Sequence, residues 1–299
     1  MKFRAGVADK RKVTSAQSGT ACCRDQALAS LDRLPPFSLI LNRLLATMAQ
    51  EDVSFANLAE LIEKDTVLAG NVLRLVNSAL YSFQGTVNSV RHAVAILGLY
   101  KLRNVALSMS ISRMWTQVRM PPGWSAARFN LHSVATGVLT DLLSQQVNVP
   151  YPEGGFVAGL LHDIGKLLIA VSLPNEHAAI LDLLRPGGRT ALECELEVTG
   201  TSHAELSGAV LARWNLPVPI QRAAMFHHAP EQAAGGELHL SHLVRAADRL
   251  ANDLGHSVVP RPGNPQVFKE HLEELGVADQ LPNVLQQFEL EFVELKRYF

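Results

Sequence analysis

Thiols are scarce in this sequence. Of its 299 residues three are cysteine, with Cys22 and Cys23 adjacent near the start and Cys194 far from both. They form neither a spaced disulfide framework nor a thiolate zinc pattern, and none is placed for thiol catalysis, so the chain reads as reduced and cytoplasmic. Net charge is nearly absent as well, at -1. That excludes a global electrostatic pull toward nucleic acid or anionic lipid, and neither nucleic acid nor a membrane is expected as a partner. No glycine-rich phosphate cradle, no G-x-S-x-G elbow and no internal repeat occurs, which excludes P-loop and dinucleotide enzymes, serine hydrolases of that type and solenoids. No apolar run approaches the length of a membrane span, and the basic residues at the N-terminus are not followed by an apolar core of the signal-peptide type.

What the chain has is apolar residues, 47% of the total, mostly in helix-period segments and without strand alternation. The segment FVAGLLHDIGKLLIA, from Phe156 to Ala170, stands out. Phe156, Leu160, Leu161, Ile164, Leu167 and Leu168 recur at three- and four-residue steps, so the segment predicts one buried amphipathic helix, bent at Gly165. It carries His162, Asp163 and Lys166 into that apolar setting. An ionised carboxylate there needs a hydrogen-bonded cation or a metal ion. His132 lies in an apolar-periodic segment upstream, and His203, His227, His228 and Asp248 lie in three others downstream. Imidazoles and carboxylates on separate helices suit Fe, Mn, Zn or Mg, and five imidazoles and two carboxylates in such helices are costly unless they converge on a shared partner.

Residues 1–25, basic and without periodicity, are expected to form a disordered tail. Helices follow, with Pro35-Pro36 at one boundary, caps at Ser54, Asp65 and Ser89, and a stop at Gly98. Asn77 and Ser78 are polar residues within an apolar helix and are expected to hydrogen-bond neighbouring groups. MPPGW, from Met120 to Trp124, breaks the pattern and reads as a junction. Ser202 and Glu205 have capping-box spacing, which puts His203 in the first turn of a helix, while His227-His228 ends another. The last residues read as two closing helices.

LPPFS, EKDTVLAGNVLRLVNSALY and VNSVRHAVAILGLYKLRNVALS closely resemble the N-terminal lobe of the HDOD family, helical modules of bacterial signalling. The order His132, then His162-Asp163, then Asp248 is similar to that of the HD superfamily of metal-dependent phosphohydrolases. His203, His227-His228 and HDIGK resemble the two-metal arrangement of its HD-GYP branch. The resemblance spans Leu31 to about Asn252 and implies an all-α, two-lobe HDOD fold: one lobe over 27–119, an HD-like lobe over 124–254, and C-terminal helices over 264–299. It further implies a regulatory module acting through a signalling protein partner, with a site for one or two divalent ions whose occupancy stays open.

The alternative reading is an HD-type phosphohydrolase acting on a nucleotide or cyclic dinucleotide. Asp163 would then bridge two ions and Lys166 would neutralise a substrate phosphate. Two departures place the interaction module first: HHAPEQAAGG stands where that branch carries DGxGYP, and Arg128 stands four residues before His132, where the branch often has a carboxylate ligand.

Overall fold

The computed structural model describes residues 23–298 except 32–33, 36, 48–53, 79–85, 117, 234–236, 261–263 and 265–266. The expected disordered tail lies almost wholly outside the described residues. Among those described, every regular element is helical and no strand occurs, as the apolar period requires.

The first helices are α1 (23–29), α2 (Leu39–Ala46), α3 (Phe55–Glu63), α4 (Thr66–Val76), α5 (Val90–Leu97) and α6 (Leu99–Trp115). Their ends fall where the caps predict. Ser54 Oγ accepts from Asn57 N–H, Asp65 accepts from Val67 and Leu68 N–H, and Ser89 Oγ accepts from His92 N–H. Each cap satisfies donors that a helix start leaves without a partner. Gly98, at φ 78°, stops α5 and lets α6 leave at 118° to it, a backbone conformation that side-chain-bearing residues rarely adopt. Asn77, at the exposed end of α4, bonds its neighbours as expected, donating to the carbonyls of Leu73 and Val87 and accepting from Val87 N–H, each bond 2.8 Å, whereas Ser78 departs from the expectation, its Oγ being buried without a hydrogen bond among the described residues. Asn77 thereby fastens the end of α4 to Val87, just ahead of α5.

After the loop containing MPPGW come α7 (Ala126–Ser144), α8 (Gly155–Leu161), α9 (Ile164–Ser172), α10 (Pro174–Leu184), α11 (Ala191–Thr199), α12 (His203–Arg213), α13 (Val218–Phe226) and α14 (Leu240–Asp253). A four-residue helix, α15 (Glu270–Glu273), precedes the long closing helix α16 (Leu281–Leu295). One continuous hydrophobic core runs from Ala27 to Leu295. Its centre is α7, against which α8, α14 and α16 all pack.

Three expectations need correction. The helix through His162 is not bent at Gly165; it breaks at His162-Asp163, between α8 and α9. The apolar period continues across that break, so periodicity could not reveal it. Gly165 serves close approach instead, because a Cβ there would run into the backbone of His203 on α12. Nor is a membrane-length apolar segment missing: Pro152–Ser172 is long and apolar enough to cross a bilayer. However, 89% of that window is buried inside the protein, and it holds the charged centre described below. Finally, the Ser202–Glu205 box is only half made. Ser202 Oγ accepts from Glu205 N–H, but the Glu205 carboxylate bonds Thr201 and Arg24 instead of reaching back. A complete box occurs at Thr190 and Glu193, heading α11.

Candidate metal centre

Five elements deliver the seven predicted side chains to one place. His132 comes from the middle of α7, His162 and Asp163 from the α8–α9 break, His203 from the first residue of α12, His227 and His228 from the end of α13, and Asp248 from α14. Two glycines make this convergence sterically feasible. At Gly159 a Cβ would lie 2.6 Å from the Thr136 carbonyl on α7, and at Gly165 it would meet the His203 backbone. Real Cβ atoms do not come that close, so only glycine lets the His162-Asp163 segment sit between α7 and α12. Gly165 N–H also donates to Ser207 Oγ at 2.9 Å, fixing α9 on α12.

The side chains fall into two groups around Asp163. His132, His162, Asp163 and Asp248 form one, His203, His227 and His228 the other, and within each group the candidate ligand atoms lie within 4.8 Å of one another. Asp163 turns one oxygen to each. Oδ2 is 3.2 Å from His132 Nε2 and 3.4 Å from His162 Nε2, whereas Oδ1 is 3.2 Å from His203 Nε2 and 3.9 Å from His227 Nε2. Asp248 Oδ1 completes the first group, 3.3 Å from His132 Nε2 and 3.7 Å from His162 Nε2.

The outer nitrogens fix the tautomers. Nδ1 of His132 lies 2.8 Å from the His256 carbonyl, that of His162 2.7 Å from Gly159 O, and that of His227 2.7 Å from Ala224 O. His203 Nδ1 is 2.6 Å from a Glu195 carboxylate oxygen. A carbonyl or carboxylate can only accept, so each Nδ1 carries the proton, and in the neutral ring each Nε2 turns a lone pair inward. The inward nitrogens crowd together: His132 and His162 Nε2 are 3.4 Å apart, and His203 and His228 Nε2 2.9 Å. Asp163 Oδ1 and His227 Nε2 are buried without any hydrogen bond. Such an arrangement is repulsive until a cation sits within it. Metal–ligand lengths of about 2.0–2.2 Å put adjacent ligand atoms roughly 3–3.5 Å apart, close to the separations of 2.9 to 3.9 Å between these atoms. The residues therefore fit divalent ions, one per group, with Asp163 shared.

Charge follows the same geometry. Burial opposes ionisation of Asp163, yet His162, Lys166 and His203 hold its carboxyl well below the usual range. Asp248 is likewise held low against its burial, by His132 and His162. For His132, burial works downward but Asp163 and Asp248 outweigh it and raise the imidazole to about 9. His227, buried and beside His228, is pushed well down and stays neutral. Lys166 Nζ donates to Asp163 Oδ2, and the carboxylates outweigh its desolvation and keep it charged. The centre reaches solvent on one side, where His228 is exposed, Lys166 is 21% exposed and Asp248 13%.

Sequence reasoning missed Glu195. It takes both the N–H and the Nδ1–H of His203, at 2.8 and 2.6 Å, and is 3% exposed, whereas Glu193 and Glu197 beside it lie at the surface. In LECELEVTG an acidic residue reads as solvated; the signal available was its place one turn from Ala191, Val198 and Thr199, opposite the other two glutamates. Arg128 is exposed in the first turn of α7 and makes no ion pair with the cluster carboxylates among the described residues.

The comparisons agree with this architecture. An uncharacterised protein of Treponema pallidum (strain Nichols) is 25% identical over 208 residues, 68% of this chain; the chain spans only 40% of that relative's length. An HDOD domain protein of unknown function from Geobacter sulfurreducens has a crystal structure similar at a TM-score of 0.75, with 23% identity, covering 94% of this chain and 97% of the other. A protein of Shewanella amazonensis SB2B, provisionally named a phosphohydrolase, matches at 0.71 with 23% identity, covering 91% and 97%. One of Marinobacter aquaeolei VT8, provisionally named a signal transduction protein, matches at 0.70 with 19% identity, covering 94% of this chain and 66% of its own. At these identities the structures establish the fold alone. The HDOD domain model matches residues 34–230, well over half of the sequence, and the chain belongs to the HDOD domain family.

Proposed function

We propose that this protein is a signal-transduction HDOD module built on a two-ion centre, and that the centre hydrolyses a phosphoester. The observation that carries the reading is Asp163, whose two carboxylate oxygens face two separate sets of inward lone pairs. His132, His162, Asp163 and Asp248 would hold one ion, and His203, His227, His228 and the far oxygen of Asp163 the other. Divalent ions there supply polarisation of a phosphoryl oxygen and activation of a water. The chain's own contribution is placement. Lys166, charged and partly exposed at the mouth, balances the negative charge of a phosphate, and Glu195 takes the Nδ1–H of His203 and so aims its Nε2 inward. The name given to the Shewanella relative supports the reaction class.

The second reading, which the sequence placed first, is an interaction platform for a signalling protein. It is favoured by the absent DGxGYP signature and by Leu39, Phe55, Val67 and Tyr100, large apolar side chains exposed on the N-terminal helices. Protein purified without chelator, analysed for metal and assayed with bis-p-nitrophenyl phosphate and cyclic dinucleotides, separates the two. Metal-dependent turnover that vanishes in Asp163→Ala is the expected result. Bound metal without turnover on any phosphodiester would leave the platform standing and end the hydrolase.

A further inference from the structure

We infer that the C-terminal helix α16 is the positioning element for the His132 side of the metal centre, acting through His256; the inference rests on the metal-centre reading above. The outer nitrogens of His162 and His227 are held by carbonyls three residues earlier, Gly159 and Ala224, which their own helices supply. His203 is held by Glu195, eight residues away. His132 differs: its Nδ1–H goes to the carbonyl of His256, 124 residues further along the chain, in the loop after α14. Its aim therefore depends on a segment that α7 does not itself carry.

That loop is set by α16. His256 N–H donates to Ala251 O at 2.9 Å, and the His256 ring packs on Phe292 at 4.5 Å between centroids and near Phe288 at 6.1 Å. The two phenylalanines stack on each other at 5.0 Å, each 3% exposed. Around them α16 lies along α7, the helix that bears His132. Its outer contacts tie it to the N-terminal helices: Lys101 pairs with Glu291 at 3.2 Å, and the Tyr298 hydroxyl just beyond the helix donates to Asn71 O at 3.3 Å. One helix thus sets both the backbone under His132 and the acceptor behind its ring. All of these acceptor-side residues lie beyond residue 230, where the family match ends.

The test uses the full chain and cobalt(II) or zinc titration, with ions per chain and visible cobalt absorption as readouts. Phe292→Ala should weaken one ion by about 10–100-fold, as loss of a group that orients a ligand does, and leave the other at wild-type affinity. If Phe292→Ala does not fold, Phe292→Leu, which keeps apolar volume and loses the ring stack, is read in its place. Equal weakening of both ions, or none, in the folded variant overturns the inference while leaving the centre intact. A wild-type chain that takes up no ion overturns the metal-centre reading, and the inference with it.

Discussion

The two halves of this molecule place polar groups in opposite ways. In α2 to α5 every buried helical residue is apolar, and Ser38, Ser54, Asp65, Asn77 and Ser89 cap the helix ends. In α7 the buried set includes Asn130, His132, Ser133, Thr136 and Thr140, and α12 and α14 add His203, Ser207, Ser241 and Asp248. A buried polar group without a partner costs stability, so α2 to α5 are built for packing, α6 with its buried Arg103, Asn104, Ser108 and Ser112 is the exception in the first half, and the second half carries a cost that a function must justify. Two of the buried polar atoms left without a hydrogen bond, Asp163 Oδ1 and His227 Nε2, face the same centre.

The sharpest break in this contrast is Asp163→Ala. Because each oxygen faces one ligand group, the change should empty both positions and abolish turnover, while the circular dichroism stays helical. Metal analysis of the purified variant checks it. Retention of two ions would show that Asp163 does not bridge.

Stripping the metal should come next in size. Each ion present at about 1,000 times its dissociation constant stabilises by about 4 kcal/mol, and chelation removes this. The effect should depend on pH with a sign set by His132. In the stripped protein its pKa stands at about 9 against an ordinary 6.5. Its stabilising charge is thus complete below the ordinary value and lost as pH rises through about 9. A bound ion requires the neutral ring, so metal binding expels that proton and gains affinity with rising pH. The melting temperatures of loaded and stripped protein should therefore diverge from about pH 6 to pH 9. A gap that narrows over this range would contradict the assignment of His132 as a ligand.

Much of the contrast was legible in the residues. Caps at Ser54, Asp65 and Ser89 and the stop at Gly98 could be read because local hydrogen bonding decides them. The convergence of His132, His162, Asp163, His203, His227, His228 and Asp248 could be anticipated because burying so many titratable groups separately is prohibitive. What stayed hidden was tertiary. The break at His162-Asp163 lies inside an unbroken apolar period, Gly165 is required by a helix distant in sequence, and Glu195 differs from its exposed neighbours only in which way it faces.

Glu195 gives the next smaller effect and divides the centre itself. Glu195→Gln keeps the size of the side chain but removes the carboxylate charge behind His203. Affinity for the ion held by His203, His227 and His228 should fall about 10–100-fold, while the His132 group is unaffected. Cobalt titration resolves the two ions, and equal weakening of both would show that Glu195 acts on the fold as a whole.

The smallest effect belongs to the first half. Asn77 makes its bonds at the exposed end of α4, to the Leu73 carbonyl and to both backbone groups of Val87. Hydrogen bonds at such a site contribute roughly 0.5–1.5 kcal/mol each in net terms, less where water can replace the partner. Val87, at 1% exposure, loses a partner that water reaches poorly. Asn77→Ala should therefore destabilise by about 1–2 kcal/mol in urea unfolding, leaving ion content and turnover at wild-type levels. An Asn77→Ala protein as stable as the wild type but depleted of metal would erase the distinction between the halves, because it would make the end of α4 part of the centre.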